Sequence, residues 1–396
     1  MKKILFIHHA SGWGGAPINM INIINELKKS EYEVNVLLIK DSIVSTKLAE
    51  FGISFTVAEG RFFRHFYMIY VHILPNYTKW YNLILLIYKS FIWLLARYYF
   101  IPNELKKYTF DIVHLNSSAL TDWLAPCKKR AHVIMHVQEP LSYGRFRIRY
   151  NFFRRQMDLY ADRIIAISND NALRINLPLK TRVVYNFTTI SKTIKDNSSY
   201  QSKVVLYVGG DSFIKGFSTI VDALDFIDKD IKIIFAGSYI QSFNGKLKKM
   251  SVLEVVKFIL SNRYRTTRRA LYKMRSSNNI IEVGLVNYVV ELIDRSCCLV
   301  SPFTISHFSR PVIEAFANFK PVIVTEVDGI DEVVDRNING IVVSKDNSLE
   351  LALAINYICN NPSIARNFGL NGYNIAKVKY SSSNIEKIKS IYEEII

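Results

Sequence analysis

Short apolar runs alternate along this chain with longer amphipathic ones. Lys3–Ile7 (KILFI) reads as a buried strand, and the loop HHASGWGGAP follows it. Ile18, Ile21, Ile24 and Leu27 then recur at three-residue steps, which predicts a helix with one apolar face. Pro17 suits the start of that helix, where no amide hydrogen is needed. Tyr32–Ile39, Asp111–Ser117, His132–Val137 and Arg163–Ser168 are further strand-length runs. Strands alternating with helices predict a parallel sheet covered on both faces.

Thr188–Ser202 (TTISKTIKDNSSYQS) is polar and reads as a linker. The pattern restarts after it: Lys203–Val208, the loop GGDSFIKG (Gly209–Gly216), a helix, then Lys232–Gly237, Asn278–Gly284, Cys297–Pro302, Pro321–Val327 and Gly340–Ser344. Two α/β halves joined by a linker predict a cleft, with ligands beyond the carboxyl ends of the strands. Tyr380–Ile396 reads as a last helix capped by one of its serines.

Two segments break this rhythm. Arg61–Lys107 is aromatic and basic, with seven Lys and Arg and one acid. Within it, Asn82–Ile101 is long enough to span a bilayer, but Lys89 and Arg97 interrupt it. Residues seven apart share a helix face, so Asn82 with Lys89 and Ser90 with Arg97 form one polar stripe. That pattern fits a helix lying in a membrane interface. A core helix with snorkelling basic ends fits equally. The second segment, Tyr239–Asn278, reads as an irregular basic insert containing RYRTTRR (Arg263–Arg269). The first half has a similar run, RFRIRYNFFRR (Arg145–Arg155). Either can hold anionic head groups or a diphosphate. For RYRTTRR a solvated helix face is the simpler reading.

Composition narrows the class. A chain of 396 residues with 49% hydrophobic content is a folded protein of about two domains. Cys127, Cys297, Cys298 and Cys359 form no C-x-x-C pair, which predicts neither a disulfide framework nor a zinc site. The opening apolar run stops at His8 and His9, too early for a signal peptide, so a cytoplasmic protein is expected. Net charge is +17, and residues 1–190 hold 25 Lys and Arg against 13 Asp and Glu. That balance suits nucleic acid, anionic lipid or phosphorylated ligands. Nucleic acid is disfavoured, since no finger, RRM or helix-turn-helix signature is present.

Three loops carry candidate chemistry. Gly12, Gly14 and Gly15 lie between a strand and a helix, where backbone amides attract anions. A tight turn alone would explain them as well. The spacing is not G-x-G-x-x-G, and the second strand ends at Ile39-Lys40 without a ribose-binding acid, which argues against a dehydrogenase. Lys215 stands where a helix begins, a poor place for a cation unless an anion binds there. In SRPVIEAFANF, Ser309 reads as an N-cap, Pro311 lies in the first turn and Glu314 falls about one turn in.

Taken together, KILFIHHASGWGGAPINMINIINEL, DIVHLNS, ISNDN, VVYNF, YVGGDSFIKGFSTIVDAL, VSPFTISHFSRPVIEAFANFKPVIVTEVDGIDEVV and NGIVV resemble the retaining glycosyltransferases of family four. The resemblance implies the GT-B fold, with two Rossmann-like α/β domains facing across a cleft. Residues 1–190 would bind the acceptor, with 61–107 facing a membrane. Residues 200–375 would bind a nucleotide-sugar, and 376–396 would pack back on the first domain. The implied activity is transfer of a sugar to a hydroxyl of a lipid-linked glycan in surface polysaccharide synthesis. It would occur on the inner face of the cytoplasmic membrane, against anionic lipid, with no cofactor and no metal.

The resemblance also implies residue roles. Gly14 and Gly15 admit the donor diphosphate, Lys215 binds it, and Glu314 holds the donor ribose. His136 approaches the transferred sugar. Gly329 belongs to the donor loop, and Glu332 matches the acid after it. Three positions depart from the family pattern. Ser306 stands where the first acid of Glu-x7-Glu is expected, Gly210 where an arginine partners the lysine, and Ser309 where a glycine follows the phenylalanine. Arg310 is the candidate substitute for the lost arginine. These losses also leave open a non-catalytic GT-B binding or scaffold subunit.

Overall fold

The computed structural model describes residues 1–9, 12–69, 80–144, 147–193, 197–239, 262–286 and 289–396. It divides into two compact units, Met1–Phe187 with Ser382–Ile396, and Thr188–Ser381.

The first unit is built on seven parallel strands. They are β1 (Lys2–His8), β2 (Tyr32–Leu38), β3 (Phe55–Val57), β4 (Ile112–Leu115), β5 (His132–Val137), β6 (Arg163–Ala166) and β7 (Thr181–Val183). Their order is β3-β2-β1-β4-β5-β6-β7. Alternation along each strand sends side chains to two apolar layers. Leu5, Ile7, Leu115, Met135 and Val137 join one layer with Trp123 and Met157. Ile4, Phe6, Ile112 and Ile134 join the other with Met20, Ile24 and the C-terminal residues Ile385, Ile388, Ile391 and Tyr392. The helix Asn384–Glu393 therefore completes this unit, and burying each of those isoleucines contributes about 1.5–3 kcal/mol. The Tyr392 hydroxyl also meets Nδ1 of His114 at 2.8 Å.

The helix Trp80–Leu95 continues through a π-helical turn, Ala96–Phe100. Of the residues expected to share one polar stripe, Arg97 turns into the interior while Lys89 and Ser90 are partly exposed. Arg97 is buried, bonds Gln156 Oε1 at 2.7 Å, and stacks over Trp93 and Tyr160. Ile92, Trp93 and Ala96 are buried beside it, whereas Ile87, Phe91, Leu94 and Tyr98 are exposed. The expectation for Asn82 falls on a side chain outside the described residues. Among the described residues, no helix is long and apolar enough to cross a membrane.

The second unit holds β8 (Val204–Val208), β9 (Lys232–Ala236), β10 (Ile280–Gly284), β11 (Cys298–Ser301), β12 (Val322–Thr325) and β13 (Gly340–Val343). All are parallel, in the order β10-β9-β8-β11-β12-β13. This is the doubly wound arrangement, whose strand order reverses direction between β8 and β11.

Two expectations change in this unit. The described part of Thr188–Ser202 is packed, not a loose tether. Tyr200 is buried and donates to the Phe319 carbonyl at 2.5 Å, and the Thr188 amide donates to the Tyr380 carbonyl at 3.0 Å. Apolar anchors spaced singly among polar residues hid that packing. RYRTTRR lies on a regular helix, Asn262–Ser276, as its helix-face reading expects, and what changes is the expectation that the segment around it is irregular. Residues 240–261 of that segment lie outside the described residues.

Candidate functional site

Ligands of open α/β sheets bind beyond the carboxyl ends of the strands, where the order reverses. In the second unit that place lies past β8 and β11. The loop after β8 turns through Gly210 (φ 57°) and Gly216 (φ 71°), both in the left-handed region. A Cβ at Gly216 would overlap the Pro302 carbonyl, and one at Gly210 would overlap the Ser238 backbone. These two positions require glycine. The loop is stitched to its neighbour after β11, since the Thr304 amide donates to the Ile214 carbonyl at 2.9 Å.

Lys215 sits in this tight turn, partly buried. Desolvation lowers its pKa, and no carboxylate among the described residues pairs with it. His307, stacked on Phe303 at 4.3 Å, has its pKa lowered to about 4, first by burial and then by the Lys215 charge. A cation held without a counter-charge near a neutral histidine leaves the loop short of negative charge.

The helix Arg310–Ala317 starts behind these loops. Ser309 occupies the N-cap position, but its hydroxyl bonds Ser301 Oγ at 2.9 Å instead of a helix amide. Glu314 is the fifth residue of the helix and is buried. Arg310, four residues earlier, donates from Nε to Glu314 Oε1 at 2.7 Å. The carboxylate is thus fixed on one oxygen, and Oε2 has no protein partner among the described residues. Arg310 Nη1 is buried and also lacks a partner. Ser306 lies in the loop before this helix, partly exposed. Gly329 (φ 82°) leads the turn Ile330–Glu332 past β12, and the Glu332 carbonyl accepts from the Tyr380 hydroxyl at 3.4 Å. The structure therefore stitches the Lys215 loop to the segment that leads into Arg310 and Glu314. It places Gly329 and Glu332 on the adjacent strand's loop.

The first unit has its own carboxyl-edge chemistry. A row of polar side chains crosses the strand ends. Asn116 Nδ2 meets His8 Nδ1 at 3.1 Å, Gln138 Nε2 donates to Asn116 Oδ1 at 3.1 Å, and Asn186 Nδ2 donates to Gln138 Oε1 at 3.4 Å. A second chain runs beside it. Ser117 Oγ donates to Glu139 Oε1 at 2.7 Å, accepts from the Ala119 amide at 3.1 Å, and meets His9 Nε2 at 2.8 Å. A serine has one proton, and Glu139 takes it. His9 therefore donates from Nε2 and keeps a lone pair on Nδ1, which is buried without a partner. Burial holds the His9 pKa below its usual value despite the Glu139 charge.

Sequence reasoning missed His9, Asn116, Ser117, Gln138 and Glu139. Each lies at or just past the end of an apolar strand run, the one signal that would have found them. His136 is two residues too early for that edge, where Gln138 stands. It lies within β5, is 1% exposed, and its Nδ1 meets His114 Nε2 at 3.0 Å. Burial lowers its pKa to about 3, so it is a neutral interior ring. Gly14 is the N-cap of the helix Gly15–Leu27. Neither strain nor packing demands glycine there, because its φ is −154° and a Cβ would meet nothing within 4 Å. It leaves open room at a helix start.

One cluster among the described residues has metal-ligand character. Cys297 Sγ lies 3.3 Å from Cys359 Sγ and 3.9 Å from Cys298 Sγ. All three are buried in the second unit's apolar core. Cys298 opens β11, so the cluster sits at the amino edge of the sheet, away from Lys215 and Glu314.

Comparison with known proteins adds identity to this geometry. Residues 190–375 match the Glycosyl transferases group 1 family. The uncharacterized glycosyltransferase MJ1178 of Methanocaldococcus jannaschii is 26% identical over 248 residues, which is 63% of this chain and 64% of that protein. Anabaena Alr3699/HepE in complex with UDP and glucose superposes with a TM-score of 0.73 at 18% identity, covering 100% of both chains. A mutant of S. aureus TarM, in complex with fondaparinux, alpha-GlcNAc-glycerol and UDP, superposes with a TM-score of 0.72 at 13% identity over 99% of this chain and 100% of that one. Residues 190–375 thus match the Glycosyl transferases group 1 family, on a chain whose two parallel sheets share the fold of the GT-B glycosyltransferase structures.

Proposed function

We propose that this protein is a retaining, metal-independent glycosyltransferase. It moves a hexosyl group from a nucleotide-sugar to a hydroxyl of a lipid-linked glycan, in surface polysaccharide synthesis at the cytoplasmic face of the membrane. The observation that carries this reading is Lys215, a partly buried cation without a counter-ion in a glycine-required turn past β8. A donor diphosphate supplies the missing negative charge. UDP in the complexes of Alr3699/HepE and TarM supports the same class of ligand.

In this scheme Glu314 Oε2 accepts from the donor ribose, while Arg310 holds Oε1 and offers Nη1 to a phosphate. That makes Arg310 the second cation in place of the arginine absent at Gly210. Ser306 offers the sugar a neutral hydroxyl where the family pattern has an acid. Gly14 and Gly15 leave room for the diphosphate, and the turn with Gly329 and Glu332 closes the donor loop. His136 supports the first-unit edge from inside, and Asn116, Gln138 and Glu139 meet the acceptor. In transfer with retention, the leaving phosphate oxygen takes the acceptor proton on the same face of the sugar. Protein groups then act by positioning and by stabilising the leaving charge.

The test is a panel of nucleotide-sugars with lipid-linked and short soluble acceptors in chelator-containing buffer. It is scored by nucleotide release and by the anomeric configuration of the product. Release with a retained anomer is the expected result. No turnover of any donor, or an inverted product, overturns the reading. A non-catalytic scaffold draws its support from Ser306 and from Glu314 being engaged by Arg310. It predicts donor binding without release.

A further inference from the structure

The helix Trp80–Leu95 and the turn after it present a large apolar face to solvent. Ile87 is 63% exposed, Phe91 57%, Leu94 47% and Tyr98 70%. Ile87, Phe91 and Leu94 follow at four- and three-residue steps, so they share one side, and Tyr98 extends it through the π-helical turn. Leu85, Tyr88 and Tyr99 are exposed beside them. Isolated exposed apolar residues are ordinary, but a contiguous set of this size on one helix marks a binding surface.

Charge identifies what binds. Between Arg61 and Asn103 the sequence has no Asp or Glu, and Tyr143–Met157 has five arginines and none. The two segments meet in the structure, since the Trp93 ring packs on Phe152 at 5.3 Å. Lys89 belongs to the first of these segments and Arg149 to the second, within range for their charges to repel. Burial first, and the Arg149 charge second, lower the Lys89 pKa, and no carboxylate among the described residues pairs with Lys89. An apolar face bordered by basic residues, in sequence stretches that hold no acid, complements an anionic lipid surface. A protein partner would need its own acidic rim, and nothing on this face specifies the shape of one.

We propose that the exposed face of Ile87, Phe91, Leu94 and Tyr98 inserts into the interfacial layer of an anionic bilayer, with Lys89 and Arg149 contacting lipid phosphates. Arg97 anchors the helix to the protein and the apolar side faces lipid. The inference gives the membrane partner of the proposed function a location, and it rests on that reading only for its purpose.

The test is co-sedimentation of the full chain with vesicles of phosphatidylcholine alone and of phosphatidylcholine with phosphatidylglycerol, without nucleotide-sugar. The protein is expected to bind the anionic vesicles and to release at high salt. Phe91→Glu with Leu94→Glu should abolish binding with an unchanged circular dichroism spectrum, because both residues are exposed. Lys89→Gln and Arg149→Gln should each weaken binding to anionic vesicles about fivefold. Phe91→Trp should be quenched by brominated lipid. Unchanged binding in the glutamate variant, or no binding by the parent chain, overturns the proposal. Conversion of a dimer to a monomer by Phe91→Glu also overturns it, by assigning the face to a second copy. Vesicle binding without sugar transfer would leave this inference standing and remove the function reading. Turnover of a soluble acceptor without vesicle binding would do the opposite.

Discussion

The two units share one architecture and fill its working edge with opposite materials. Both are parallel sheets whose strand order reverses at the centre, and both place polar residues past the central strands. The first unit closes its edge with neutral partners, the row His8, Asn116, Gln138 and Asn186, and keeps one carboxylate, Glu139, tied to Ser117. The second leaves Lys215 unbalanced and half of the Arg310 and Glu314 groups unused. Neutral hydrogen-bonding groups match hydroxyls, whereas uncompensated cations match a diphosphate. Under the proposed function, the same fold separates two ligand chemistries by the charge at its strand ends.

The sharpest way to break this comparison is to remove the cation. Lys215→Ala should lower nucleotide release about 10²–10³-fold with the melting temperature held, the scale of losing one preorganised electrostatic contact. Gln138→Ala should cost less in release and show mainly in the acceptor KM. Equal losses from the two variants would erase the distinction.

A second contrast sets glycine against glycine. Gly216→Ala forces a left-handed φ and an overlap with the Pro302 carbonyl, so it should destabilise by about 3 kcal/mol in denaturant unfolding. Gly14→Ala should leave stability within about 0.5 kcal/mol and instead weaken donor binding, because a Cβ there meets no protein atom and enters the space proposed for the donor. Comparable destabilisation by both would refute this assignment of Gly14.

Acid should distinguish the units next. His8 and His136 are buried and neutral in the first, with pKa values lowered to about 3. Unfolded histidines take up protons below about pH 6.5, and these two do not until far lower. Their stabilisation is therefore complete above pH 6.5 and is lost as pH falls toward 3. Between pH 6.5 and 5.5 the pair should cost about 2 kcal/mol. His8→Gln with His136→Gln should flatten that slope in pH-dependent unfolding. The smallest expected effect is Tyr392→Phe, which removes one buried hydrogen bond to His114 and should cost about 1 kcal/mol by the same measurement.

Legibility in the sequence followed the length of each signal. Continuous apolar runs of four to seven residues, such as β1, β5 and β12, were readable because both faces of a parallel strand are buried. The three-residue strands β3 and β7 were not, since no periodicity develops over so few positions. Lys215, Ser309 and Glu314 were legible as types at helix starts. The Arg310 clamp on Glu314 was also open to reading from their four-residue spacing on one helix face. His136 was misleading because an interior polar residue and an edge residue differ by two positions in a strand. The Asn82–Ile101 segment carries a polar stripe in the sequence, and its Arg97 end turns into the interior. Arg97 finds Gln156 and two rings across the interior, and no local pattern encodes that partner.

The return of Ser382–Ile396 to the first unit has a consequence for synthesis. The second unit is in effect spliced into the first, between Phe187 and Ser382. As the chain leaves the ribosome, the Thr188–Ser381 unit can close while its host still waits for Ile388 and Tyr392 to cover one side of its sheet. A premature stop after Ser381 would therefore spare the later-made unit and leave the earlier-made one open, with Ile4, Phe6 and Ile112 as its sticky face.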